Sequence, residues 1–91
     1  MTDDNEFILI TGQGCPACGQ AKEMLKDKIE SGRVKVLDLM KDDEALNLIQ
    51  KHDIRGVPKI ILKDKVTGFT ESCDLSADCK TALCKDKKVE L

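Results

Sequence analysis

Phe7-Ile8-Leu9-Ile10-Thr11-Gly12-Gln13-Gly14-Cys15-Pro16-Ala17-Cys18 decides the architecture of this chain. The first half is a short apolar run closed by glycine, which predicts a buried strand over 6–11. The second half opens a helical pattern predicted over 15–30. Ala21, Met24, Leu25 and Ile29 recur at helical spacing, Pro16 suits the first helical position, and Ser31-Gly32 ends the pattern. Two thiols at i and i+3 therefore stand at the mouth of a strand–turn–helix. A helix N-terminus carries unpaired N–H groups and partial positive charge, and both favour a thiolate, the nucleophilic form of cysteine.

Outward from this stretch the same reading continues. Val34, Val36, Leu37 and Leu39 give a second strand, over 33–39. Asp42-Asp43 suit a helix start, and Ala45, Leu48, Ile49 and His52 share one face of a helix over 43–52. Pro58-Lys59-Ile60-Ile61-Leu62 reads as a third strand with proline at its first residue, where proline is tolerated. Lys63-Asp64-Lys65 reads as a turn, and a fourth strand covers 66–72. Ser76 is a candidate N-cap for a last helix over 77–86, and Lys85-Asp86-Lys87-Lys88 reads as a solvated end. The predicted order is β-α-β-α-β-β-α: an α/β fold with a four-stranded mixed sheet and helices on both faces. The first two strands are joined by a parallel crossover, and the last two are antiparallel.

Ninety-one residues predict a single domain, residues 1–91, with a modest core. Charged residues are 35% and apolar residues 41%, which excludes a disordered chain. A net charge of −2 without clustered basic residues gives no nucleic-acid footprint. Met1-Thr2-Asp3-Asp4-Asn5-Glu6 lacks the basic and long apolar regions of a signal peptide, and no apolar run approaches a membrane span. The expectation is a cytoplasmic chain, where thiols stay mostly reduced. Five cysteines is an odd count, so a purely structural disulfide set would leave one unpaired.

Within the motif the two thiols are about 300° apart around a helix. Cys18 continues the buried stripe of Ala21, Leu25 and Ile29, and Cys15 lies at the tip. Cys15 is thus the expected attacking thiol and Cys18 the resolving one. Pro16 and Ala17 keep the pair rigid and small. A bare CxxC also suits half a zinc site, but structural zinc needs a second close pair. Cys73, Cys79 and Cys84 are spaced by five and four residues, a poor ligand pattern, so no metal ligand is assigned.

These residues resemble the thioredoxin–glutaredoxin superfamily. Two segments carry the likeness: Phe7 to Cys18, and Ile54-Arg55-Gly56-Val57-Pro58 with Ile60-Ile61-Leu62 after it. The resemblance implies that Pro58 is a cis-proline facing the disulfide, and that the Val57 backbone pairs with an extended substrate. Ala17 stands where glutaredoxins carry tyrosine, and Gly14 where thioredoxins carry tryptophan. Glu71-Ser72 replace the Gly-Gly of glutaredoxins, while Cys73-Asp74 match the cysteine and acidic residue that follow it for glutathione. The implied substrate-binding set is Pro16, Ala17, Val57, Pro58, Cys73 and Asp74.

The fourth strand should return Cys73 to the rim near Pro58. There it is either a small free thiol or a partner in a regulatory disulfide. Cys79 shares a predicted helical face with Leu75, Ala82 and Leu83 and reads as core. Cys84 lies five residues later, about 8 Å away in a helix and beyond disulfide reach, whereas a Cys73–Cys79 bridge is sterically possible. Lys22 reads as solvated, Lys59 and Arg55 as open between partner binding and local roles, and His52 as packing near a helix C-terminus.

The expectation is a monomeric dithiol–disulfide oxidoreductase with no cofactor. It would reduce disulfide-bearing client proteins and draw electrons from a reductase or a small thiol. Two alternatives stand beside it: a glutathione-dependent glutaredoxin, and a non-enzymatic metal-binding module using several of the five thiols.

Overall fold

In the computed structural model the described residues are 5–85 and 88–91. The elements are β1 (Asn5–Thr11), α1 (Pro16–Met24), α2 (Lys26–Glu30), β2 (Val34–Asp38), α3 (Asp43–His52), β3 (Lys59–Asp64), β4 (Thr70–Leu75), β5 (Thr81–Leu83) and β6 (Lys88–Glu90). They form one mixed sheet of order β2-β1-β3-β4-β5-β6. β1 pairs parallel with β2 and antiparallel with β3, and every later neighbour is antiparallel.

The unbroken apolar run of β1 is explained by its place. A strand covered on both faces needs apolar side chains at every position. Phe7 and Leu9 point into one layer with Ala21 of α1, Leu25, Ile60 and Leu62. Ile8 and Ile10 point into the other with Leu37, Ile61, and Ala45 and Leu48 of α3. Strand alternation thus divides one segment between two cores.

The helix predicted over 43–52 coincides with α3. Asp43 and Glu44 occupy its first turn, Lys51 and His52 its last, each matching the helix dipole. Asp53 closes it in the left-handed region, at φ 51°. The helix predicted over 15–30 is present as two segments, because Leu25 leaves helical geometry at φ −98° and ψ 13° while its side chain stays buried.

Two expectations are corrected. The fourth strand runs Thr70–Leu75, not 66–72, because the turn expected at Lys63-Asp64-Lys65 lies later: Lys63 and Asp64 still belong to β3, and residues 65–69 make the turn. The Asp64 carboxylate accepts from the N–H groups of Val66 and Thr67, the Gly68 N–H donates to the Asp64 carbonyl at 2.8 Å, and the Gly68 φ of 78° turns the chain so that the Phe69 carbonyl accepts the Asp64 N–H at 2.8 Å.

The last helix, predicted over 77–86, is not formed among the described residues. Strands β5 and β6 take its place and extend the sheet from four strands to six. The Ser76 hydroxyl does not cap a helix: it donates to Asp78 and accepts from the N–H of Thr81 at 3.1 Å. The Ser76 N–H donates to the Thr81 carbonyl at 2.9 Å, closing a tight hairpin. This hairpin brings Ala82, and the residue after β6 brings Leu91, onto the Phe7 layer. Arg33 stacks over Phe7 at 5.1 Å and donates to the Glu90 carbonyl at 3.0 Å, so the far edge curls back over that layer. Met1 to Asp4, Asp86 and Lys87, including part of the predicted tail, lie outside the described residues.

Candidate active site

β1 ends at Thr11, and Gly12 lets the chain pass close to its neighbours. A Cβ there would stand 3.1 Å from Leu39 and 3.3 Å from Val57. This close approach carries the loop beside the segment that precedes β3. Cys15 then occupies the N-cap of α1, and Pro16 the first turn, where no intrahelical N–H is needed.

The Cys15 sulfur replaces the usual oxygen of an N-cap. It accepts the Cys18 N–H at 3.2 Å and, as a thiol, donates to the Val57 carbonyl at 3.6 Å. Cys15 is half-buried at the surface, whereas Cys18 is 1% exposed. The two thiols titrate in opposite directions. Hydrogen bonding from the Cys18 side chain lowers Cys15 first, and the Cys18 and Ala17 backbone N–H groups add to it against a burial penalty. Burial raises Cys18 first, then the Cys15 side chain, against weaker lowering from the Gly12 backbone and Lys22. The outer thiol is therefore disposed to ionise and the inner one to keep its proton.

The Val57–Pro58 bond is cis, and the Val57 carbonyl faces the Cys15 sulfur. Pro16 and Ala17 are exposed at the helix tip. A cleft of about 460 Å³ adjoins Pro58 on the α3 side, lined by Ile54, Arg55, Lys59 and Asp74 among others. Lys59 and Asp74 form an ion pair across β3 and β4 at this rim. Arg55 pairs with Asp53 and is largely exposed. His52 hydrogen-bonds Thr70 at 2.9 Å, consistent with a packing role.

Cys73 does not stand with Asp74. Adjacent residues on a strand face opposite sides. Asp74 is exposed at the cleft, whereas Cys73 is 1% exposed in the Phe7 layer. Its sulfur is bonded to Cys84, so the expectation of a free rim thiol is corrected. The partner is Cys84, not Cys79, because the tail is a hairpin: Asp74 pairs with Leu83, which sets Cys73 opposite Cys84. The helical estimate that isolated Cys84 does not apply to a strand. Cys79 is a buried free thiol at the hairpin turn, with φ 58°.

The described residues contain no helix long and apolar enough to cross a membrane. A search of curated proteins finds no match to the chain. Residues 7–69, more than half of its length, match the family described as Thioredoxin domain. The matched stretch holds β1 from Phe7 onward, the Cys15–Cys18 pair, α3, Val57–Pro58 and β3, and ends just before β4. On this match and the α/β fold around it, the chain belongs to the thioredoxin-domain family.

Proposed function

We propose that the chain is a dithiol–disulfide oxidoreductase acting on disulfide-bearing proteins. The observation that carries this reading is the Cys15 sulfur at the N-cap of α1, 3.2 Å from the Cys18 amide, with the Cys18 thiol buried behind it. That amide supports a sulfur anion where a substrate disulfide can reach it.

The reaction balances in two steps. The Cys15 thiolate attacks one sulfur of the client disulfide and forms a mixed disulfide, while the other client sulfur leaves as a thiolate and takes a proton. Cys18 then loses its proton and attacks the Cys15 sulfur, which releases the second client thiol and leaves a Cys15–Cys18 disulfide. A reductase or small thiol returns two electrons and two protons. The Val57 backbone is the docking edge for the client, with Pro16, Ala17 and Pro58 around it and the Lys59–Asp74 pair at the rim. The chain works as a monomer in the cytoplasm, a compartment that keeps the dithiol reduced.

The test is a redox titration of the purified protein, with Cys15 and Cys18 read by alkylation and mass. A two-electron transition near roughly −270 mV supports a reductant, and one near about −120 mV an oxidant. A pair that shows no transition until a chelator is added refutes the reading.

A further inference from the structure

A second cysteine pair joins β4 to the residue just after β5, beyond the segment that matches the family. Cys73 and Cys84 are direct cross-strand neighbours, with Cα atoms 4.3 Å apart. Two positions earlier on β4, Glu71 faces the same side as Cys73, opposite Leu62 of the apolar layer. A Glu71 carboxylate oxygen and the two sulfurs all lie within 4.8 Å of one another. Among the described residues no lysine or arginine pairs with that carboxylate. A reversible disulfide needs no third donor, and an apolar face does not explain an acidic one.

We propose that Glu71, Cys73 and Cys84, once the disulfide is reduced, form a binding site for a thiophilic divalent cation of the zinc type. Zinc takes thiolate sulfur at about 2.3 Å and carboxylate oxygen at about 2.0–2.2 Å in a tetrahedron, which sets ligand atoms roughly 3.5–3.8 Å apart. The three donor atoms already lie within 4.8 Å of one another, so the site asks for a rearrangement of side chains once the sulfurs are reduced. Cys73 is buried, while Cys84 and Glu71 are half-buried and so partly open to solvent. Two thiolates and a carboxylate converging on one point repel each other, and a dication removes that repulsion.

The chemistry balances. A dithiol reductant delivers two electrons and two protons, which opens the Cys73–Cys84 bond to two thiols and leaves the reductant as a cyclic disulfide. The cation then displaces the two thiol protons to solvent, and no further electron moves. Re-forming the disulfide needs a two-electron oxidant, such as a small-molecule disulfide that is itself reduced to two thiols; it consumes both sulfur ligands and expels the ion. Metal occupancy and the disulfide are therefore mutually exclusive, and the site opens only under reducing conditions.

The experiment uses the full chain with Cys15→Ser and Cys18→Ser, which makes it independent of the proposed enzymatic activity. The chain is reduced, freed of reductant and titrated anaerobically with Co²⁺, then with Zn²⁺. The expected result is saturable binding of a single Co²⁺ with thiolate-to-cobalt charge-transfer absorbance, displaced by Zn²⁺. Binding should be unchanged in Cys79→Ser and absent in Cys84→Ser and in the reoxidised chain. Glu71→Gln should weaken it by at least the roughly tenfold that loss of even an outer partner costs. Because Glu71→Gln keeps both cysteines and the disulfide, it decides the matter if Cys84→Ser fails to fold. No saturable binding in the reduced chain, binding that survives Cys84→Ser, or equal affinity in Glu71→Gln overturns the proposal.

Discussion

The Cys15 sulfur accepts the backbone N–H of Cys18 at 3.2 Å, so a residue of the motif is also the cap of the helix that carries it. Capping and activation are one interaction. The first turn of α1 has no acidic residue to compete for its free N–H groups, so a sulfur anion is the negative group that the helix end favours.

Alkylation of Cys15 should accordingly follow a pH midpoint below that of a free cysteine. The Cys18 side chain is the largest lowering influence on Cys15. Cys18→Ala keeps the backbone N–H but removes the thiol, so the midpoint should move upward while staying a single transition. Iodoacetamide rates across pH, with mass detection, measure both. An unchanged midpoint in Cys18→Ala would show that the backbone alone sets it.

The Cys73–Cys84 bridge joins residues 11 apart in sequence and ties the short β5–β6 hairpin to β4. Closing a loop of this size constrains the unfolded chain by about 2–3 kcal/mol. Cys73→Ala with Cys84→Ala should lower the melting temperature by about 10 °C or more. The parent treated with a dithiol in metal-free buffer should melt close to the double variant, as measured by circular dichroism.

His52 gives a pH-dependent stability of defined sign. Burial, then the neighbouring Lys51 charge, lowers its pKa below the ordinary 6.5. The unfolded chain takes up this proton at about pH 6.5, and the folded chain only at lower pH. Between the two values the unfolded state holds more protons, so stability falls as pH drops through that window. His52→Gln, which can still bond Thr70, should flatten the fall. Urea midpoints measured from about pH 7 to pH 5.5 check this, and parallel curves for the two proteins would refute it.

Ile61 is 0% exposed in the α3-side layer. Ile61→Ala should cost about 2–5 kcal/mol, a large share of the roughly 5–15 kcal/mol that holds a domain together. Urea unfolding should show a lower midpoint at an unchanged slope.

Much of this was legible in the chain itself. The run Phe7 to Ile10 announced a strand buried on both faces, and Asp43 to His52 carried a complete set of helix signals. Cys15 and Cys18 were placed by local rules alone, because a turn, a proline and a helix start all lie within a few residues. The tail was not legible. Leu75, Cys79, Ala82 and Leu83 fit a helical face, and Ser76 fits an N-cap, yet the same hydroxyl bonds equally well across a hairpin turn. Short segments carry too few repeats for periodicity to separate the two.

Local sequence therefore determined what depends on neighbours along the chain: the α1 cap, the ionising order of Cys15 and Cys18, and the faces of β1. The tertiary structure decided what depends on pairing across it. It brought the Val57 carbonyl to the Cys15 sulfur, sent Cys73 and Asp74 to opposite faces of β4, and set Cys84 and Glu71 beside Cys73. Strand register is a long-range choice governed by which layer each face can bury, and that is known only once both layers are assembled.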